Sequence, residues 1–131
     1  MKIVYILIHS IILFGSSHSI GFLILTDIIF LSEFLDNSFH FNYTTSSNQI
    51  LSTIGFFSLT GKVFIIFSLY KFNQFIKSLL SLIGMIILMY SVYLLWTYIS
   101  FVGILKISFF IIIVFYLISI GLVFKELKYN K

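Results

Sequence analysis

The chain of 131 residues contains no cysteine, proline, arginine or alanine. Without cysteine there is no disulfide framework, no thiolate nucleophile and no thiolate metal site. Without arginine, the positive side of the formal +4 charge comes from lysine alone. Those lysines are dispersed along the chain, a pattern that gives no basic stripe for nucleic acid. Missing alanine, arginine and proline beside abundant isoleucine, phenylalanine and tyrosine point to an AT-rich coding sequence, so rare residue types carry less weight than usual. Charge is scarce altogether, at 9% against 60% hydrophobic residues and a mean hydropathy of +1.16. No cofactor fingerprint and no catalytic array is legible, so no cofactor, no metal and no enzyme activity are expected.

What is present is apolar sequence in four blocks, at residues 3–30, 50–70, 79–99 and 107–124. A hydrocarbon core about 30 Å thick takes roughly 20 apolar residues in a helix. In lipid the backbone finds partners only within its own helix. The expected fold is therefore all-α: a polytopic membrane protein, one domain over 1–131, built as an antiparallel bundle of four transmembrane helices at about 3–25, 50–70, 79–99 and 107–124. With so little chain left over, there is no room for a soluble domain. Lipid is as apolar as leucine, so such helices associate through small residues and hydrogen bonds.

Lys2, Lys71, Lys77, Lys125, Lys128 and Lys131 flank the blocks on one side, whereas on the other side the loop at 36–49 has no lysine and the short turn at 101–106 has one, Lys106. The positive-inside rule then places both termini and the loop between the second and third blocks inside, with 36–49 as the outer loop. Trp96 and Tyr98 at one level and Tyr5 and Tyr70 at the other suit the two interfacial aromatic belts. A multi-pass protein of the bacterial inner membrane is the expected location.

The first block is longer than one span and is interrupted by Gly15-Ser16-Ser17-His18-Ser19. A cleaved signal peptide is one reading. It leaves a remainder barely able to span and carrying Asp27 and Glu33, so a helix over 3–25 that continues past the outer surface is preferred. On that reading Asp27, Glu33 and Asp36 are solvated outside. The sequon Asn42-Tyr43-Thr44 is a chance-level match.

Lys62, inside the second block, is the sharpest polar signal, about 12 Å from the inner end at 1.5 Å per residue. An ionisable group at such depth is a functional hypothesis by default. Gly55, Ser58 and Lys62 fall on one helical face, the stripe with least bulk. The simpler reading is that the lysine stem snorkels to the headgroups. The other is a polar layer of Lys62 with His9 and Tyr116, which lie at about 9 Å and 12 Å by the same rise. With Asp27, Glu33 and Asp36 assigned to the outer surface and Glu126 to the inner tail, Lys62 is expected to have no carboxylate partner. His9 and His18 point to opposite sides of one helix and cannot share a metal, and the other blocks contain no histidine for an intrachain haem. Gly15-x-x-x-Ser19, Ser17-x-x-x-Gly21 and the face of Ser81, Gly84 and Ser91 read as packing seams.

These features favour a non-enzymatic accessory, assembly or immunity-type membrane protein, whose partners are the bilayer and a larger membrane protein or a second copy of itself. The alternative is an oligomeric channel or transporter for protons or a small anion using Lys62.

Overall fold

The computed structural model describes residues 6, 7, 10, 11, 13–16, 19–41, 47–98, 113, 114, 116–118, 120, 121 and 125. Helix dominates them. Three continuous helices run over Ile24–Leu35 (α1), Ser47–Phe67 (α2) and Gln74–Tyr98 (α3). The described residues between 113 and 125 are helical as well. Two of the helices, over Ile50–Phe67 and Gln74–Tyr98, are long and apolar enough to cross a membrane.

The first block differs from the expected single helix. Leu13–Ser16 (β1) and Ser19–Phe22 (β2) pair antiparallel, with Leu13 opposite Phe22 and Ser16 opposite Ser19. The interrupting segment permits the reversal. Glycine weakens a helix interior by about 1 kcal/mol, and serines compete for the backbone hydrogen bonds that a helix needs. Leu13, Phe14, Ile20 and Phe22 on either side suit extended chain. Gly15-x-x-x-Ser19 therefore joins two paired strands and forms no helical seam, while Ser17 of the second spacing lies outside the described residues.

The helix that follows, α1, is only 12 residues long, about 18 Å at 1.5 Å per residue, and falls short of the hydrocarbon thickness. Leu23, Thr26, Asp27 and Phe30 form its buried face, with the i, i+3, i+4, i+7 spacing of one helical stripe. Its opposite face exposes Ile24, Ile28, Leu31 and Leu35. It ends in a Schellman motif: Ser38 N–H donates to Glu33 carbonyl (2.9 Å) and Asn37 N–H to Phe34 carbonyl (3.3 Å). Asn37 takes the left-handed conformation this requires, at φ 53°, which asparagine tolerates better than most residues.

Helix α2 is the central element and packs against both α1 and α3. The turn between α2 and α3 spans 68–73 and makes them an antiparallel pair, as the contacts show. Phe57 meets Tyr90 at a ring separation of 4.9 Å, and Gly61 meets Gly84 several residues earlier on α3. A methyl group built on Gly84 would stand 2.8 Å from the Gly61 carbonyl oxygen, and one on Gly61 would stand 2.8 Å from Leu88. Neither position has space for a side chain, so the two backbones touch.

Two apolar clusters bracket this contact. Leu23, Ile50, Ile54, Val92 and Leu95 fill one end, joined by Ile113. Ile65, Met85, Leu88 and Tyr116 fill the other, joined by Ile6 and Ile120. The C-terminal helical segment thus runs from the first cluster at Ile113 to the second at Ile120, opposite in direction to α3. Nearer the N-terminus, Ile6 packs against the second cluster and Leu23 belongs to the first.

Candidate functional site

The outstanding polar feature lies where α1 meets α2. Gly55 allows the approach: a methyl group there would collide with the Thr26 backbone and lie 2.9 Å from Phe30 Cβ. Thr26 folds its own hydroxyl onto the Leu23 carbonyl at 2.7 Å, so it presents little bulk to α2. Two turns beyond Gly55, Lys62 Nζ donates to Asp27 Oδ2 in an ion pair. Asp27 and Lys62 are only 5% and 6% exposed, so water contributes little to holding either charge.

This corrects two expectations. Asp27 is not solvated at an outer surface, and Lys62 neither snorkels nor lacks a carboxylate. The reason is the break at 15–19. A continuous helix from residue 3 would carry Asp27 outward by more than 35 Å at about 1.5 Å per residue. The hairpin resets that count, so Asp27 stands in the first turn of a new helix beside the middle of the bundle. There the N-terminal end of α1 also favours a negative charge. Lys62 is five residues from the last residue of α2, about 7.5 Å along its axis.

Burial makes the pairing obligatory for a folded bundle. A charge taken out of water costs several kcal/mol unless it is matched, and losing one partner of a buried pair typically costs about 3–5 kcal/mol. The match here is incomplete. Among the described residues, Asp27 Oδ1 and the buried hydroxyls of Ser58 and Ser81 accept or donate no hydrogen bond. Ser58 lies one turn after Gly55 and one turn before Lys62, on the α2 stripe that faces α1. Ser91, by contrast, satisfies itself on the Leu88 carbonyl at 2.7 Å.

Of the proposed polar layer, Lys62 is paired with Asp27, and Tyr116 is buried in the cluster of Ile65, Met85 and Leu88. His9 lies outside the described residues, as does His18. His40 is exposed after the α1 terminus. The face of Ser81, Gly84 and Ser91 is buried on α3 as a packing seam. No group of three metal-ligating side chains occurs among the described residues.

Sequence reasoning missed Asp27 as a site residue and also missed a run of aromatic contacts. Phe39 stacks on Phe56 at 5.8 Å, Phe30 meets Phe56 edge-on at 5.4 Å, and Phe41 meets Phe56 at 5.0 Å. The chain just after α1, read as polar loop, is therefore held onto α2 by its alternate residues Phe39 and Phe41. Offset and edge-on pairs of this kind contribute about 0.5–1.5 kcal/mol each beyond their buried area. The signal available in the sequence was the spacing Phe39-x-Phe41 with exposed His40 between.

No protein-family model, curated protein or solved structure matches this chain.

Proposed function

We propose that the chain is a small multi-pass integral membrane protein of the bacterial inner membrane, with both termini inside, that acts without enzymatic chemistry as an accessory, assembly or immunity-type partner of a larger membrane protein. The single observation that carries this reading is the direction its side chains face. Its charged pair is turned inward and neutralised, while Ile66, Phe67, Phe75, Ile76, Ile86 and Tyr93 are turned outward from α2 and α3. An apolar exterior of that extent suits lipid or another membrane helix. Several features support the topology. Ile6 and Ile120 pack against the same end cluster. Lys71 and Lys77 lie near that end, and Tyr70 and Trp96 lie at opposite ends of the α2–α3 pair. The short α1 is then a non-spanning element, with one face buried against the bundle at Leu23, Thr26, Asp27 and Phe30 and an apolar opposite face that suits lipid.

Purification at native expression level in nanodiscs, followed by mass spectrometry of the intact assembly, tests the accessory role. A stoichiometric different protein is expected; a homo-oligomer alone would overturn it. Single cysteines placed at positions 45 and 74 test the topology. Membrane-impermeant reagents are expected to label position 45 from outside and position 74 from inside.

One observation favours a second reading, a proton path. The pairing of Lys62 with Asp27 leaves no net positive charge to attract a small anion. The unpartnered Asp27 Oδ1 and Ser58 hydroxyl nevertheless set polar groups along the α1–α2 contact, which suits a proton.

A further inference from the structure

The seat that α1 occupies is specified by three residues of α2. Gly55 lets a backbone approach closely, since a methyl group there would collide with Thr26. Lys62, 6% exposed, requires a carboxylate, and Asp27 supplies it. Ser58 lies between them on the same stripe, fully buried. Among the described residues its hydroxyl has no hydrogen-bond partner, and neither has Asp27 Oδ1. The seat is thus matched by α1 in charge and in closeness of approach, and unmatched at two polar atoms. A buried polar atom left bare costs free energy, so α1 is not the best occupant that the stripe admits.

The character of α1 also allows it to leave. It has 12 residues, and among the three continuous helices it packs on α2. Apolar contact alone does little to hold it, because lipid is as apolar as leucine. At about 100° per residue, Thr26, Asp27 and Glu33 lie to one side of α1. Ile24, Ile28 and Leu35 lie to the other and are exposed. A helix with two such faces also suits the membrane interface, its apolar side in lipid and its acids in water. Removing α1 alone would strand the Lys62 charge, which is heavily penalised. Exchanging α1 for a helix that brings its own carboxylate strands nothing, since Lys62 stays paired and Asp27 reaches water.

We propose that the stripe of Gly55, Ser58 and Lys62 is the docking site for a transmembrane helix of the partner protein, and that α1 is the placeholder that fills it beforehand. The chemistry of the stripe defines that helix: an Asp or Glu for Lys62, a small residue against Gly55 and a hydrogen-bonding side chain for Ser58. The proposal rests on the accessory reading above and gives it a surface. Phe39 and Phe41 hold the chain behind α1 onto Phe56, so the released helix stays tethered beside its seat. Exchange also makes binding selective. A helix without a carboxylate cannot displace α1, because it would leave Lys62 buried and unpaired.

The test uses the full chain in phosphatidylcholine vesicles. Spin labels on Ile28→Cys and Ile86→Cys report the distance between α1 and α3, and the chain has no cysteine of its own. The probe is a transmembrane peptide of alanine and leucine carrying one Asp at the level of Lys62. It is compared with the same peptide carrying Leu or Lys there. The Asp peptide is expected to produce a second, longer distance and to act at about tenfold or more lower concentration than the Leu peptide. The charge-swapped chain, Asp27→Lys with Lys62→Asp, is expected to respond to the Lys peptide instead. The charge-free chain, Asp27→Leu with Lys62→Met, is expected to respond to neither charged peptide. No displacement by the Asp peptide, equal displacement by the Leu peptide, or a response of the charge-free chain to the Asp peptide would each overturn the seat. With the two labels on separate chains, a distance matching the docked one would place a second copy's α1 in the seat and overturn the partner's helix as its occupant.

Native purification of the unaltered and charge-free chains separates this proposal from the reading it rests on. A stoichiometric partner lost with the charge-free chain supports both. A partner retained by the charge-free chain upholds the accessory role and overturns the seat. No partner with either chain rejects the accessory role and with it the partner's helix, whatever the peptide does.

Discussion

The two contacts made by α2 achieve close helix approach in different ways. Toward α3 it presents Gly61 against Gly84, flanked by Ile65, Met85 and Leu88, and the fit is one of shape. Toward α1 it presents Gly55 against Thr26, but the contact is then fixed by a charge on each side. Shape alone tolerates sliding by one turn when the neighbouring side chains are similar. A buried ion pair does not, because a slipped register strands two charges. The difference fits the lengths of the helices. The α3 helix has 25 residues over which to accumulate apolar contact, whereas α1 has 12. The short helix has fewer contacts to set its position, and the ion pair supplies a specific one.

The sharpest way to break that asymmetry is to remove one charge. Lys62→Met or Asp27→Ala alone is expected to lower stability by about 3–5 kcal/mol, measured by denaturant titration in mixed micelles. The double variant Asp27→Leu with Lys62→Met is expected to recover most of the loss, since neither charge is left buried. If the double variant is as unstable as the singles, the pair is not what holds α1 in place. Next in size are the glycines. Gly55→Ala and Gly84→Ala are each expected to cost about 1–3 kcal/mol through overpacking. They should differ in kind, because Gly55→Ala disturbs the ion pair whereas Gly84→Ala leaves it intact, and the two can be told apart by combining each with the charge-free double variant. In that background Gly55→Ala should lose part of its penalty and Gly84→Ala none.

Smaller effects separate the ends of the helices from their contacts. Asn37→Val is expected to destabilise by roughly 1–2 kcal/mol, the approximate cost of a left-handed conformation for an ordinary residue; amide exchange at Ser38, whose N–H closes the motif, should quicken with it. Gly121 is helical and exposed, and a methyl group there meets nothing within 4 Å. Gly121→Ala should therefore raise stability by up to about 1 kcal/mol through helix propensity alone. It is the control for the other glycines: the same substitution, with the sign reversed where no neighbour is close.

Much of this was legible along the chain. The stripe of Gly55, Ser58 and Lys62 was expected to be a face that another helix could approach, and it is buried. Ser81, Gly84 and Ser91 read as one seam and are buried together. The fate of Asp27 was not legible, for a physical reason. Depth counted by residue holds only while the helix continues, and the Gly15-Ser16-Ser17-His18-Ser19 segment ends that condition. Once the chain turns, a residue can lie at any level that packing chooses. Phe39 and Phe41 were lost in a similar way, because polar neighbours marked their segment as loop while their rings found Phe56.

By itself the sequence determined the apolar blocks, the helical character of α2 and α3, and the faces along which small residues permit contact, since these follow from hydropathy and a period of 3.6 residues. Only the tertiary structure decided that the first block folds back on itself, that α1 is too short to span, and that Asp27 pairs with Lys62. The ion pair joins residues 35 positions apart, and no local preference encodes which of the four acids a buried lysine will meet. That choice is made by the cost of leaving either charge alone in an apolar interior.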